Sequence, residues 1–427
     1  SAFGAALVTG DISVTAIGTV TYTDSEYFVG FGHPFLNKGR VQLPVSLAEI
    51  YQTVRSQEAP FKLGAPRQFV GTLLEDRPAG VAGKLGAQAS GIEVKVTVQD
   101  QDRREKTDFT ATVVPDETLA NDLVALAALQ AMDRGLSRIG RGTAEVRLTL
   151  RGDGLPGGAV TRENVFYHPA DIGAAALRDL VTGTALVMGN PFRRVNLRQV
   201  ELSARVGEER RTGVIERARL VQERPLKPGE AAEIEVLIRP YRGEVRWERI
   251  SLTVPSDYPT GRFQVVVRGG TAAASEEEQV EEGTPPEEDG HAPNPEKPAK
   301  GPGKVSEPKT NAESFEAMLD QFVRRERNNE LVAELVQPAE SEGEESPAQS
   351  SPELAMPEGH PAVRRPGKAP AAPANHQERR NPKARRALPY VVLGEAAVEI
   401  EVGPGGTPEP PIKPPPAPHW ERPRREP

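Results

Sequence analysis

Hydrophobic and polar positions alternate along much of the first quarter of the chain. In 14–35, VTAIGTVTYTDSEYFVGFGHPF, one arm carries Val14, Ala16, Thr19 and Thr21, and a second alternates Tyr27, Val29 and Phe31. The polar stretch Thr23-Asp24-Ser25-Glu26 between them has turn chemistry, so a hairpin is predicted. Residues 5–9 and 69–74 are further strand candidates. Ile92, Val94, Val96 and Val98 alternate, as do residues 109–114, and the charged run 100–108 between them predicts a second hairpin. In 41–54 the spacing changes. After Leu43-Pro44, the positions Val45, Leu47, Ile50, Tyr51 and Val54 predict a short helix or turn. Gly80, Gly83, Gly86 and Gly91 predict a loop-rich stretch, and GVAGKLG leads into no helix, which argues against a P-loop. Asp116 then caps a predicted helix whose stripe Leu119, Leu123, Leu126, Ala127 and Met132 is core packing, with Gly135 just past its end.

The pattern beyond residue 140 predicts a second unit. Ala144, Val146, Leu148 and Leu150 alternate, and Asp171 starts a helix running to about Met188, stopped by Gly189-Asn190-Pro191. Strand candidates follow at 195–206, 214–222, 232–240, 245–254 and 262–267, separated by turn sequences. Short strands at such intervals predict an antiparallel sandwich of immunoglobulin-like type. Residues 271–310 are acidic with little to bury and are expected to be a disordered linker. In 311–336 an isolated amphipathic helix is predicted, its stripe made of Phe315, Met318, Leu319, Phe322 and Val323, followed by a short strand at 331–336. Residues 337–386 again have linker composition, 387–402 hold short apolar strands, and 403–427 is proline-rich and expected to be polyproline II, with Trp420 exposed. The late islands predict either one small module or a docking segment for a partner, centred on 311–336. The chain thus divides into 1–140, 141–270 and a C-terminal third of linkers and islands.

Composition narrows the chemistry. Hydrophobic residues make up 37% and aromatics 5%, with 40 Gly and 41 Pro among 427 residues, which fits loops, tails and β turns. A net charge of −8 argues against general nucleic-acid binding. With no cysteine, disulfides, thiolate metal sites and cysteine catalysis are excluded. The six histidines show no HExxH or paired spacing, so neither a metal nor a cofactor is expected. No apolar run is long enough to span a membrane.

One position stands out. The second arm ends in Gly30-Phe31-Gly32-His33-Pro34-Phe35. Its glycines allow close backbone approach, and Pro34 biases His33 toward an extended conformation. A histidine held at a strand end suits a general base; the alternative is a hydrogen-bonded corner residue. His168, in Tyr167-His168-Pro169 without an acid or nucleophile motif, reads as structural.

Gly18-Thr19-Val20-Thr21-Tyr22, Gly32-His33-Pro34-Phe35, Phe61-Lys62-Leu63, Val70-Gly71-Thr72-Leu73 and Asp76 to Gly83 (DRPAGVAG) occur in the order and rough spacing of one family. Over about residues 4–115 the chain resembles the stage IV sporulation protein B (SpoIVB) serine peptidases. The resemblance implies a mainly β protein with a chymotrypsin-like, double β-barrel peptidase domain, acting on protein or peptide substrates in an extracytoplasmic location. It matches His33 to the catalytic histidine. Asp76 lies about as far downstream of His33 as the orienting aspartate does in chymotrypsin-like enzymes, which makes it a candidate orienter, the alternative being an Asp–Arg surface turn. The family's Gly-Met-Ser-Gly-Ser-Pro type motif is absent here, and Ala89-Ser90-Gly91 lacks its surroundings. Ser1 falls within what resembles the family's Pro-Gly-Ser-Ala stretch. The nucleophile is therefore expected either upstream of Ser1 or nowhere in the protein. The second case would make it a binding protein built on a degenerate peptidase domain.

Overall fold

The computed structural model describes residues 1–55, 61–270, 312–336 and 381–404. The expected linkers 271–310 and most of 337–386, and the proline-rich tail with Trp420, lie outside the described residues. The chain is mainly β, with few helices.

Six antiparallel strands form a closed ring. They are β1 (Ala2–Gly10), β2 (Val14–Asp24), β3 (Tyr27–Gly30), β4 (Gly39–Val54), β5 (Phe61–Arg77) and β6 (Gly80–Leu85). Pairing runs β1-β2-β3-β6-β5-β4 and returns from β4 to β1 through Phe3↔Leu47, Gly4↔Ser46 and Ala5↔Val45. Phe3, Phe28, Leu43, Val45, Leu73 and Val81 are buried in its core.

Two sequence expectations fail in this ring. Residues 41–54 form a long strand, not a short helix or turn. Leu43 and Val45 point inward at the strand period, while Leu47 and Tyr51 face solvent. Register shifts at Arg40/Leu43, Val45/Ser46, Ser46/Ala48 and Ile50/Gln52 break the alternation that would have identified the strand. The glycine-rich stretch after Pro78 is strand β6 up to Leu85, and loop, as expected, only from Gly86 to Gly91. A Cβ on Gly83 would come within 2.5 Å of both the Phe28 ring and the Thr72 carbonyl, so this glycine serves strand packing.

The same sheet continues past the ring. β1 also pairs with β8 (Glu105–Val113), which forms the expected hairpin with β7 (Ile92–Asp100). β7 pairs in parallel with β11 (Asn196–Gly207), which pairs with β9 (Gly142–Asp153), and β9 with β10 (Ala159–His168). Eleven strands therefore make one sheet, and it crosses the boundary expected at 140/141. Helices α1 (Ala120–Leu136), α2 (Ile172–Ala175) and α3 (Arg178–Met188) share its core. Asp171 caps α2 as expected, accepting from the Ala174 amide at 3.0 Å. Asp116 caps the turn before α1, and Gly135 lies inside that helix, where a Cβ would be 2.6 Å from Val98.

Helix α4 (Phe315–Arg324) is not isolated: Phe315, Met318, Leu319 and Phe322 are buried in this first core. Four residues of the apolar stripe expected to dock a partner are thus covered by the chain itself, and Val323 stays exposed.

A second core lies between two four-stranded sheets. One has the order β14-β13-β12-β18, from β12 (Thr212–Leu220), β13 (Ala231–Pro240), β14 (Arg246–Thr253) and β18 (Val391–Leu393). The other has the order β17-β16-β15-β19, from β15 (Gly261–Gly269), β16 (Glu330–Val336), β17 (Lys383–Ala387) and β19 (Glu395–Val402). A sandwich-like unit thus exists, but 141–270 does not make it. It begins at β12 and is completed by strands from 330–402, including β17 within the supposed linker. Ile234, Val236 and Ile250 need a facing layer, and Leu331, Leu335 and Ile400 of the other sheet supply it.

Candidate functional site

Several of the segments that carry the family resemblance meet at one corner of the ring. β3 ends at Gly30, and the chain then turns tightly about Phe31. The Gly32 amide donates to the Gly30 carbonyl at 2.9 Å, and Phe31 has φ 68°. This three-residue γ-turn is of the strained, positive-φ kind, costing on the order of 1–3 kcal/mol for a bulky residue. The Phe31 amide is tied to the Thr19 carbonyl at 3.0 Å, and the ring fills a slot over Gly18, where a Cβ would sit 1.7 Å from Phe31 Cε1. Lys62 donates to Thr19 Oγ1 at 2.9 Å, bringing in the Phe61-Lys62-Leu63 segment. The Asp76–Gly83 segment closes the other side. A Cβ on Gly80 would be 2.9 Å from the Gly30 carbonyl oxygen and 3.4 Å from the Gly32 nitrogen.

His33 is exposed on this corner. Its ring stacks on Phe31 at 5.4 Å between centroids and 26°, and its Nδ1 lies 2.7 Å from the Pro34 carbonyl oxygen. Asp76 is fully buried near the end of β5 rather than in an Asp–Arg surface turn. Its Oδ1 accepts from the Phe35 amide at 2.7 Å, and its Oδ2 from the Leu36 and Lys38 amides at 2.7 and 3.3 Å. The carboxylate holds the main chain just after His33. No hydrogen bond joins the Asp76 and His33 side chains among the described residues. Asp76 is thus neither a surface turn residue nor hydrogen-bonded to the imidazole.

The loop that Asp76 holds walls a cleft of about 960 Å³, lined by Leu36, Lys38, Gln42, Ser90, Thr118 and Asn196 among others. Lys38 reaches across it to Asp116 at 2.8 Å and to the Thr118 hydroxyl. Burial raises the Asp116 carboxyl pKa, but the Lys38 ammonium and the Thr118 hydroxyl and amide outweigh it and hold the group below its ordinary range. Ser90, the one serine in an Ala-Ser-Gly string, donates to Gln42 Oε1 at 2.8 Å. His168 serves structure as expected: its Nδ1 accepts from the Ala170 and Asp171 amides at 3.2 and 2.7 Å.

Sequence reading passed over Phe31, Gly18 and the Pro34 carbonyl. The signal available for Phe31 was its place between two glycines, where a left-handed bend is cheap for the neighbours and costly for the phenylalanine. Compared with known proteins, the chain matches no family model, no curated protein and no solved structure.

Proposed function

We propose that this chain carries the histidine-bearing part of a SpoIVB-type serine peptidase. The six-stranded ring is then one barrel of a chymotrypsin-like arrangement. One observation supports this most: segments far apart in sequence, 18–22, 30–36 and 76–83, meet around the turn that carries His33, with Lys62 reaching Thr19 beside it, and they are among the segments of the family resemblance. A buried carboxylate and a strained turn used to fix an exposed imidazole fit a group that must be held for proton transfer. His33 acts as general base. It takes the proton from a serine hydroxyl as that oxygen attacks the substrate carbonyl carbon, then gives it to the leaving amine. The nucleophile is a serine for which residues 1–427 offer no family motif, with main-chain amides beside it receiving the oxyanion. Substrates are proteins or peptides met outside the cytoplasm.

The deciding experiment is fluorophosphonate labelling of the longer protein beside its His33→Ala variant. The expected result is labelling that the variant abolishes, together with no casein hydrolysis by the 427-residue chain alone. Absence of labelling in well-folded protein rejects the enzyme.

A binding protein is the second reading, favoured by the apolar surface of the β4–β5 ribbon, where Tyr51, Phe61 and Leu63 are each more than half exposed.

A further inference from the structure

We propose that the Pro34 carbonyl and the Phe31 ring, rather than a carboxylate, position His33, fixing its neutral form with the proton on Nδ1 and leaving Nε2 as the basic nitrogen. The peptidase reading is where this assignment has its use, but the geometry that carries it stands on its own.

A carbonyl oxygen only accepts. Its 2.7 Å contact with His33 Nδ1 therefore requires that Nδ1 carry the hydrogen, and in a neutral imidazole Nε2 is then the acceptor. The contact lies between adjacent residues, so it depends on the backbone shape of 33–36 and not on a distant side chain. That shape is held from outside the loop: Asp76 binds the Phe35, Leu36 and Lys38 amides. Asp76 thus acts two steps from the imidazole, through the main chain.

The ring plane is set separately. Phe31 stacks between Phe3, at 5.0 Å and 29°, and His33, at 5.4 Å and 26°, with Phe35 edge-on at 5.9 Å and 85°. The strained turn and the side-chain-free slot at Gly18 are what allow Phe31 to lie there. With one face on Phe31 and Nδ1 on Pro34, the imidazole has Nε2 left to meet a reactant. During proton transfer Nε2 gains the serine proton while Nδ1 keeps its own, so the Pro34 contact persists and no second acceptor is needed.

The test is the tautomer of His33 in the ¹⁵N-labelled 427-residue chain, read from imidazole nitrogen shifts after raising the pH until they no longer change. The His33 signals are identified by their loss in His33→Gln. The expected result is a protonated Nδ1 and an unprotonated Nε2. In Phe31→Ala the Nδ1–H to Nε2–H ratio should fall about 5-fold, the equivalent of roughly one hydrogen bond, while Phe31→Tyr keeps it. A proton on Nε2 in the unaltered chain overturns the proposal even if Phe31→Ala does not fold. So does an unchanged ratio in folded Phe31→Ala. The peptidase reading fails differently: an Nδ1–H tautomer in a longer protein that never labels with the fluorophosphonate rejects the enzyme and leaves the positioning intact.

Discussion

Asp76 shows how a single buried carboxylate can organise a loop. An ionised carboxylate offers only acceptors, and three main-chain amides from 35–38 use them. Asp76→Ala leaves these donors without an acceptor, and each one that stays dry costs roughly 1–3 kcal/mol. The variant should unfold at clearly lower urea than the unaltered chain. Asp76→Asn, which keeps one acceptor oxygen but turns an NH₂ toward a donor, should fall between them. A fully stable alanine variant would show that water replaces the carboxylate and that the loop needs no clamp.

At the scale of elements, amphipathic α4 illustrates how a stripe legible in sequence acquires its partner only in the fold. Phe322 packs against α3, where a Cβ on Gly183 would come within 2.9 Å of its ring. The Arg162 guanidinium lies 5.4 Å from the Phe322 ring centroid and donates to the Phe322 and Arg325 carbonyls, both at 2.9 Å. A buried cation thus caps the helix C-terminus, where the last carbonyls lack partners and the dipole is negative. Asp179 balances Arg162 at 2.8 Å. Phe322→Ala should cost about 3–5 kcal/mol, the usual range for emptying a buried aromatic site. Hydrogen exchange should then show α4 amides opening before those of β9. Equal protection in both would mean that the helix is held mainly by Phe315, Met318 and Leu319.

For the whole molecule, the second core depends on residues remote in sequence. A chain ending at residue 270 keeps β12–β15 but loses β16–β19, exposing Val236, Ile250 and Val265 among others. It should aggregate or keep only the unfolding transition of the first core, and a soluble product in which β12–β15 still unfold cooperatively would refute the shared core.

The junction between the two cores also sets an acid limit. Burial raises the Glu326 and Glu334 carboxyl pKa values, but Arg268 and Lys383 at Glu326, and chiefly Lys383 at Glu334, hold both below the ordinary 4.5. A carboxyl whose folded pKa is depressed binds protons more readily when unfolded. Its stabilisation is therefore present above pH 4.5 and is lost as pH falls through the lower folded value. Urea midpoints should be level from neutral pH down to about 5 and then drop. Glu326→Gln should be less stable at neutral pH and show a shallower acid slope; an unchanged slope would place acid sensitivity elsewhere.

The sequence by itself determined the strand-rich character, most strands from 92 to 267, the cap at Asp171, the stripe of α4 and the singling out of His33. These follow from local rules: alternation where one face is buried, caps where orphan amides need oxygen, and a helix period where one side meets a core. It misjudged β4 because bulges interrupt alternation, and β6 because glycines that look like loop punctuation were making room for Phe28 and Thr72. Only tertiary structure decided that residues before and after 140 share a sheet, since a parallel β7–β11 pair has no local signature. It alone completed the sandwich from 330–402, joined strands across long sequence gaps, and turned Asp76 from a partner of the imidazole into the anchor of the loop that presents it. Those outcomes depend on which surfaces and amides meet across the chain, which no window of neighbouring residues contains.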